Sequence, residues 1–321
     1  MLGLRLTGLA CTSKLPRMRR FVSANLAVAL ASAMSAAQQL PGRDLFDLPI
    51  AALAEGTALA LFAGDGLRNP ASLYVSGRER GRLSLSSLAT GREQRVGAQT
   101  LALAYAVRGT TIGLSLARSS VSDIARTDTD PQTIGPDVRY GLTVISLAAA
   151  RREGGTLTSG IALRYQSGEL DIEQRRELGV DAGVIIDSLT GRDITVAASS
   201  FLWRPGTVGP GGSGAALSAG VDASAITLRR IGNTNLRVGY AWTGTPQMSN
   251  EHFGYVTLRT RVWDARAGAA RVVTSNDATT RLRIALGARS GRYRLGVARE
   301  ENPYGLSPSY VFVLVTHLAT P

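Results

Sequence analysis

Thr100-Leu101-Ala102-Leu103-Ala104-Tyr105-Ala106-Val107, then Arg108-Gly109, then Thr110-Thr111-Ile112-Gly113-Leu114-Ser115-Leu116, places a large apolar residue at every second position on both sides of a tight turn. Side chains along a strand point alternately to opposite faces, so Leu101, Leu103, Tyr105 and Val107 share one face while Ala102, Ala104 and Ala106 share the other. The reading is a pair of antiparallel strands with one bulky apolar face and one small face.

Working outward, the same rhythm returns in Ile161-Leu163-Tyr165, Leu178-Val180-Ala182-Val184-Ile186, Leu236-Val238-Tyr240-Trp242 and Tyr310-Phe312-Leu314. Between Leu83 and Leu318 no strong helical segment interrupts it. About fourteen strands are expected, 176–187, 252–262 and 292–300 among them, an even count that suits a transmembrane antiparallel β-barrel. Most have about the 9–11 residues that a tilted strand needs to cross a bilayer. The connections alternate too: Arg108-Gly109, Arg152–Gly155, Trp263-Asp264 and Ser290-Gly291 are tight, while 122–138, 204–213, 244–251 and 301–307 are longer. Short links on one side and long ones on the other are the habit of outer-membrane barrels.

The alternative is a soluble two-sheet sandwich, in which one face must be packed by bulky residues from both sheets. Here the less apolar face carries Arg164, Arg237, Arg259, Arg261, Arg281, Arg283, Arg292 and Arg294. In a barrel these turn inward, because arginine at the lipid midplane costs roughly 2–4 kcal/mol. They are the expected lumen-lining residues. Two roles stay open for them: attracting anionic solutes through charge-assisted bonds, or forming a structural network with Asp181, Asp187, Asp193, Asp222 and Glu169.

The N-terminal stretch reads as an export signal. Met18-Arg19-Arg20 supplies a basic start, Phe21–Ala33 an apolar run, and Ser35-Ala36-Ala37 a small-residue cleavage site. The run falls short of the ~20 residues of a spanning helix. The expected division is therefore a signal peptide over 1–37, with Met18 as a possible real start, and one outer-membrane barrel domain over 38–321. The one cysteine, Cys11, precedes Met18, so no disulfide or thiolate site is expected beyond the leader. The formal net charge of +12 would allow nucleic-acid binding. Arginines spread along strands, without basic patches interleaved with aromatics, argue against it. Residues 44–75 are apolar but irregular around Gly56, Gly64 and Gly66, and are expected to pack inside or beneath the strands as a plug.

Within that segment, Asn69-Pro70-Ala71-Ser72-Leu73 resembles the Asn-Pro-Ala-Gly-Leu motif that precedes the first strand in FadL-like and PorV/PorQ-like outer-membrane proteins. Ser72 replaces the glycine. Leu178-Gly179-Val180-Asp181-Ala182-Gly183-Val184 is similar to a strand of the same group. The resemblance implies a fourteen-stranded barrel in the bacterial outer membrane, with Asn69, Pro70 and Ala71 at the junction between plug and strands. It further implies passive uptake or binding of hydrophobic or anionic small molecules, or else a PorV-like accessory role beside secretion-system proteins. Membrane lipid is an expected partner on either reading.

Catalytic and metal chemistry find little support. The two histidines, His252 and His317, have no H-x-x-x-H or H-E-x-x-H spacing, and no serine sits in a Gly-x-Ser-x-Gly elbow. Thr127–Pro131 offers alternating carboxylates but lacks the glycine and terminal glutamate of an EF-hand loop. Gly206–Gly214 is not followed by the Lys-Ser/Thr of a phosphate cradle. No enzyme, cofactor or metal is expected. The aromatics, Tyr105, Tyr255, Trp263 and Tyr293 among them, are expected to form girdles at the membrane interfaces.

Overall fold

The computed structural model describes residues 40–48, 53–59, 62–75, 79–126, 136–189, 193–204, 215–228, 234–245, 249–274, 277–302 and 306–319. Fourteen strands follow one another: β1 (Glu79–Ala89), β2 (Val96–Val107), β3 (Thr110–Ile124), β4 (Val138–Glu153), β5 (Leu157–Leu170), β6 (Glu173–Ile186), β7 (Ile194–Phe201), β8 (Ala216–Leu228), β9 (Thr234–Gly244), β10 (Asn250–Arg259), β11 (Trp263–Val273), β12 (Ala278–Ser290), β13 (Tyr293–Glu300) and β14 (Ser309–Ala319). Each pairs antiparallel with its sequence neighbours, and β1 pairs with β14 to close the barrel. The expected leader, the Thr127–Pro131 loop and the Gly206–Gly214 stretch lie outside the described residues.

A closed sheet has only an inside and an outside, and the period-two pattern assigns every residue to one of them. In the β1–β2–β3 register, Leu85 sits opposite Leu101 and Leu101 opposite Leu116, all exposed on the outer face. One step along, Ser84 sits opposite Ala102 and Ala102 opposite Ser115, all buried. Outside a barrel, an exposed leucine belt is what hydrocarbon requires. Its upper edge on this side is a polar row, Gln99 opposite Arg118 and Arg118 opposite Thr143. Tyr105, Trp263 and Tyr293 lie on the outer face beside the tight turns, where amphipathic rings suit the membrane interface.

The tight turns 108–109, 154–156, 260–262 and 291–292 share one mouth of the barrel, and the long links 125–137, 202–215 and 301–308 share the other. The rule is not uniform: the β6–β7 link at the tight-turn mouth spans 187–193, and at the long-link mouth β11 and β12 are joined by only 274–277. β5 and β6 meet through Asp171-Ile172 at the long-link mouth, with Asp171 in the left-handed region at φ 55°. The wall is also uneven between β6 and β7, whose ladder runs only from Gly183–Ser199 to Ile186–Val196. Beyond it the Val180 amide donates instead to the Trp203 carbonyl at 2.9 Å.

Three short 3-10 helices, Arg43–Asp47, Thr57–Leu59 and Pro70–Leu73, punctuate the N-terminal segment. Its described residues are largely buried and touch the inward faces of the strands. Phe46, Leu53, Phe62 and Leu67 join Val311, Val313 and Val315 of β14 in one apolar cluster. Burying each such side chain stabilises by roughly 1.5–3 kcal/mol. Space for them exists because β1–β5 point mostly serine, threonine and alanine inward, as in Ser86, Thr100, Ala102, Ser146 and Ala148.

Three expected details change. The β10–β11 turn is 260–262, so Trp263-Asp264 open β11 rather than form the link. Arg261 and Arg292 do not line the lumen; both are exposed in turns, because β10 ends at Arg259 and β13 begins at Tyr293. Strand alternation counted through a turn misplaces the residues beyond it. Tyr255 is not a girdle residue either: it is buried on the inner face, stacked on Phe253 with centroids 5.2 Å apart. β10 carries bulky residues on both faces, Phe253 and Tyr255 inward against Val256 and Leu258 outward, so its pattern alone does not tell inside from outside.

Candidate lumen site

The N-terminal segment is tied down by arginines that point inward from the wall. From β1, the Arg82 guanidinium donates to the Gly64 carbonyl and, at 3.0 and 3.1 Å, to those of Ser72 and Leu73. From β5, Arg164 donates to the carbonyls of Leu67 at 2.5 Å and Gly66 at 3.3 Å, and pairs with Asp181 on β6. Both members of that pair are fully buried. The Asp181 carboxylate also accepts the Leu202 and Trp203 amides, each at 2.9 Å, at the point where the β6–β7 ladder has ended. One carboxylate thus neutralises an anchor and satisfies two orphan donors, as buried charge requires.

Asn69, Pro70 and Ala71 lie inside the barrel against β5 and β6. The Asn69 side chain accepts from the Ala71 amide at 2.9 Å and donates to the Ala58 carbonyl at 2.7 Å, capping the helix that Pro70 starts. This turn is seated on glycines. Gly160 and Gly183 are directly paired across β5 and β6, and a side chain at the first would strike Pro70 and Ala71, at the second Asn69. The two stretches that carry the family resemblance therefore touch each other.

Opposite the small-residue half, β8–β13 point long charged side chains inward, and cavities remain there. One, of about 350 Å3, lies at the tight-turn mouth beside Asp187, Asp193, Asp222, Arg237, Tyr255, Arg259, Asp264, Arg289 and Arg294. Leu59 and Phe62 form its apolar side. A second, of about 280 Å3, opens towards the long-link mouth, lined by Leu48, Phe201, Ala216, Val272, Thr245, Ser249, Glu251, Arg281 and Arg283. Glu55 lines both. Its carboxylate takes a charge-assisted bond from Arg266 of β11 at 2.9 Å and accepts the Phe62 amide at 3.0 Å. Arg266 also donates to the Leu53 carbonyl. The described residues 53–59 and Phe62 thus form a partition that Arg266 latches to the wall.

The expected lumen residues fall into two groups. Arg164, Arg237, Arg281 and Arg283 are held by acids: Arg237 by Asp193 at 2.7 Å and by Asp222, Arg281 by Glu300 at 3.1 Å, and Arg283 by both Glu251 oxygens at 2.7 and 2.6 Å and by Glu300 at 2.8 Å. Arg259 and Arg294 line the tight-turn cavity, and among the described residues no carboxylate lies within ion-pair distance of either. Arg294 instead lies over the Phe62 ring at 4.8 Å. Of the expected neutralising acids, Asp181, Asp187, Asp193 and Asp222 have arginine partners. Arg82, Arg266 and Arg289 were not among the expected residues. Each follows from strand parity, but the carbonyls that Arg82 and Arg266 reach belong to a segment without periodicity.

The histidines are engaged with neighbours. His252 lies on the outer face of β10, its Nδ1 2.7 Å from the Tyr240 hydroxyl, and His317 pairs with Glu79 at 2.8 Å. No group of acids and histidines among the described residues is arranged to hold a metal.

No family model matches the sequence, and no curated protein matches it. Solved structures do. The toluene transporter TbuX of Ralstonia pickettii superimposes with a TM-score of 0.54 at 13% identity, covering 83% of this chain and 98% of that one. The monoaromatic hydrocarbon channel CymD gives 0.57 at 11%, over 84% and 98%. The deltaS2S3 mutant of the monoaromatic hydrocarbon channel TodX gives 0.52 at 11%, over 78% and 93%. At such identities the likeness concerns the fold. It agrees with the barrel that the FadL-like resemblance implies: a closed fourteen-stranded sheet with an outward leucine belt.

Proposed function

We propose that this barrel passes or binds small hydrophobic or anionic molecules, without catalysis, and that residues 44–75 act as its plug. One observation carries the reading: a more apolar cavity at the long-link mouth and a more polar one at the tight-turn mouth are separated by that partition of residues 53–59 and Phe62, with Glu55 facing both. A solute entering from the long-link side meets Leu48, Phe201 and Val272 first. It reaches the other side when the partition moves. The transport named for TbuX and the channels named CymD and TodX accords with this reading. An accessory role beside secretion proteins would depend largely on the outer links, much of which lie outside the described residues.

The test uses proteoliposomes. Deleting 44–75 is expected to raise permeability to toluene, long-chain fatty acids and small anions several-fold over the full chain. Permeability unchanged by the deletion would sink the plug.

A further inference from the structure

Five acids and five arginines line the tight-turn cavity, so its formal charges balance, but the pairing is uneven. Of the five acids around that cavity, Asp193 and Asp222 are taken by Arg237, Glu55 by Arg266, Asp264 by Arg289 at 3.4 Å, and Asp187 by Arg152 from β4 at 3.5 Å. Arg259 and Arg294 are left over. The register brings them to one place: Arg259 on β10 is opposite Asp264 on β11, Asp264 is opposite Gly287 on β12, and Arg289 on β12 is opposite Arg294 on β13. Two guanidinium forks with no ion-paired carboxylate among the described residues therefore face a cavity that also offers Phe62, Leu59 and Tyr255. Two like charges sharing a cavity repel each other, and an anion between them removes that repulsion. A planar carboxylate matches the guanidinium fork, and an aromatic body matches the ring wall. The volume, about 350 Å3, is within the range of small-molecule sites.

We infer that the tight-turn cavity is a binding site for small aromatic organic acids, with Arg259 and Arg294 holding the carboxylate and Phe62, Leu59 and Tyr255 flanking the ring. This rests on the uptake reading above and specifies an exit-side station for its anionic solutes. It also gives direction to the lumen, since a ligand leaving the apolar cavity would next meet two guanidinium groups that hold no acid among the described residues.

The experiment measures binding of benzoate, and of its neutral relative benzyl alcohol, to the full-length barrel in detergent by equilibrium dialysis. Toluene uptake into proteoliposomes is measured on the same preparations, and heat-modifiable gel migration checks that each variant is folded. Arg259→Gln/Arg294→Gln is expected to weaken benzoate binding by about 10-fold or more, leaving benzyl alcohol binding within about 2-fold. Each single substitution should give an intermediate loss. Benzoate binding that the folded double variant retains would overturn the site. Inorganic phosphate displacing benzoate at equal concentration would overturn the assignment to organic acids. Toluene uptake absent already in the unsubstituted protein would count against the uptake reading instead, and is thereby distinguishable.

Discussion

Single residues decide how the N-terminal segment is held, and Arg164 with Asp181 is the clearest case. Taking one partner from a buried pair strands the other charge and costs about 3–5 kcal/mol, whereas replacing both by apolar residues of similar size is often neutral. Arg164→Leu should therefore lower the urea midpoint of the folded barrel strongly, and Arg164→Met/Asp181→Leu should recover most of the loss. A double variant as weak as the single one would show that Asp181 matters chiefly through the Leu202 and Trp203 amides it accepts. Gly183 makes the second case. A valine there would occupy the space of Asn69 on the lumen side, so the wall should still close while the turn at Asn69-Pro70-Ala71 is displaced. Trypsin should then cut Gly183→Val at Arg68 at least several-fold faster than the unsubstituted protein, with heat-modifiable migration kept. Equal cutting would mean that the seat is not needed.

Elements show what alternation can and cannot reveal. All fourteen strands are legible in the sequence, because one face must satisfy hydrocarbon and period two then repeats without exception in places such as Leu101-Leu103-Tyr105. Legibility fails where that demand is absent. β10 is bulky on both faces, so Tyr255 reads as an interface aromatic although it donates to Asp222 in the lumen at 3.1 Å. Arg261 and Arg292 continue the rhythm of their strands by chance of composition and lie in turns. The β5–β6 hairpin breaks the long-short rule of the links because Asp171-Ile172 closes it tightly. Of the candidate site, the arginine face was legible by parity alone. Which arginines would be neutralised was not, since pairs such as Arg283–Glu251 join strands that are not neighbours. Nor was the latch, because Arg266 closes on Glu55 across more than two hundred residues of sequence.

The whole molecule divides its lumen unevenly. β1–β5 point small side chains inward and receive the N-terminal segment, whereas β8–β13 point charges inward and keep open space. That division places the partition between two cavities, and on the proposed uptake reading its movement is the step that passage requires. Leu53 and Gly296 of β13 offer a direct way to stop it, since a side chain at 296 would meet Leu53. In Leu53→Cys/Gly296→Cys, made in a chain with Cys11 also replaced, oxidation should tether the partition to the wall. Toluene uptake into proteoliposomes is then the decisive measurement. Uptake should fall at least several-fold on oxidation and return on reduction, with neither single-cysteine variant responding. Uptake that stays the same in the fully oxidised double variant would contradict a partition that must move.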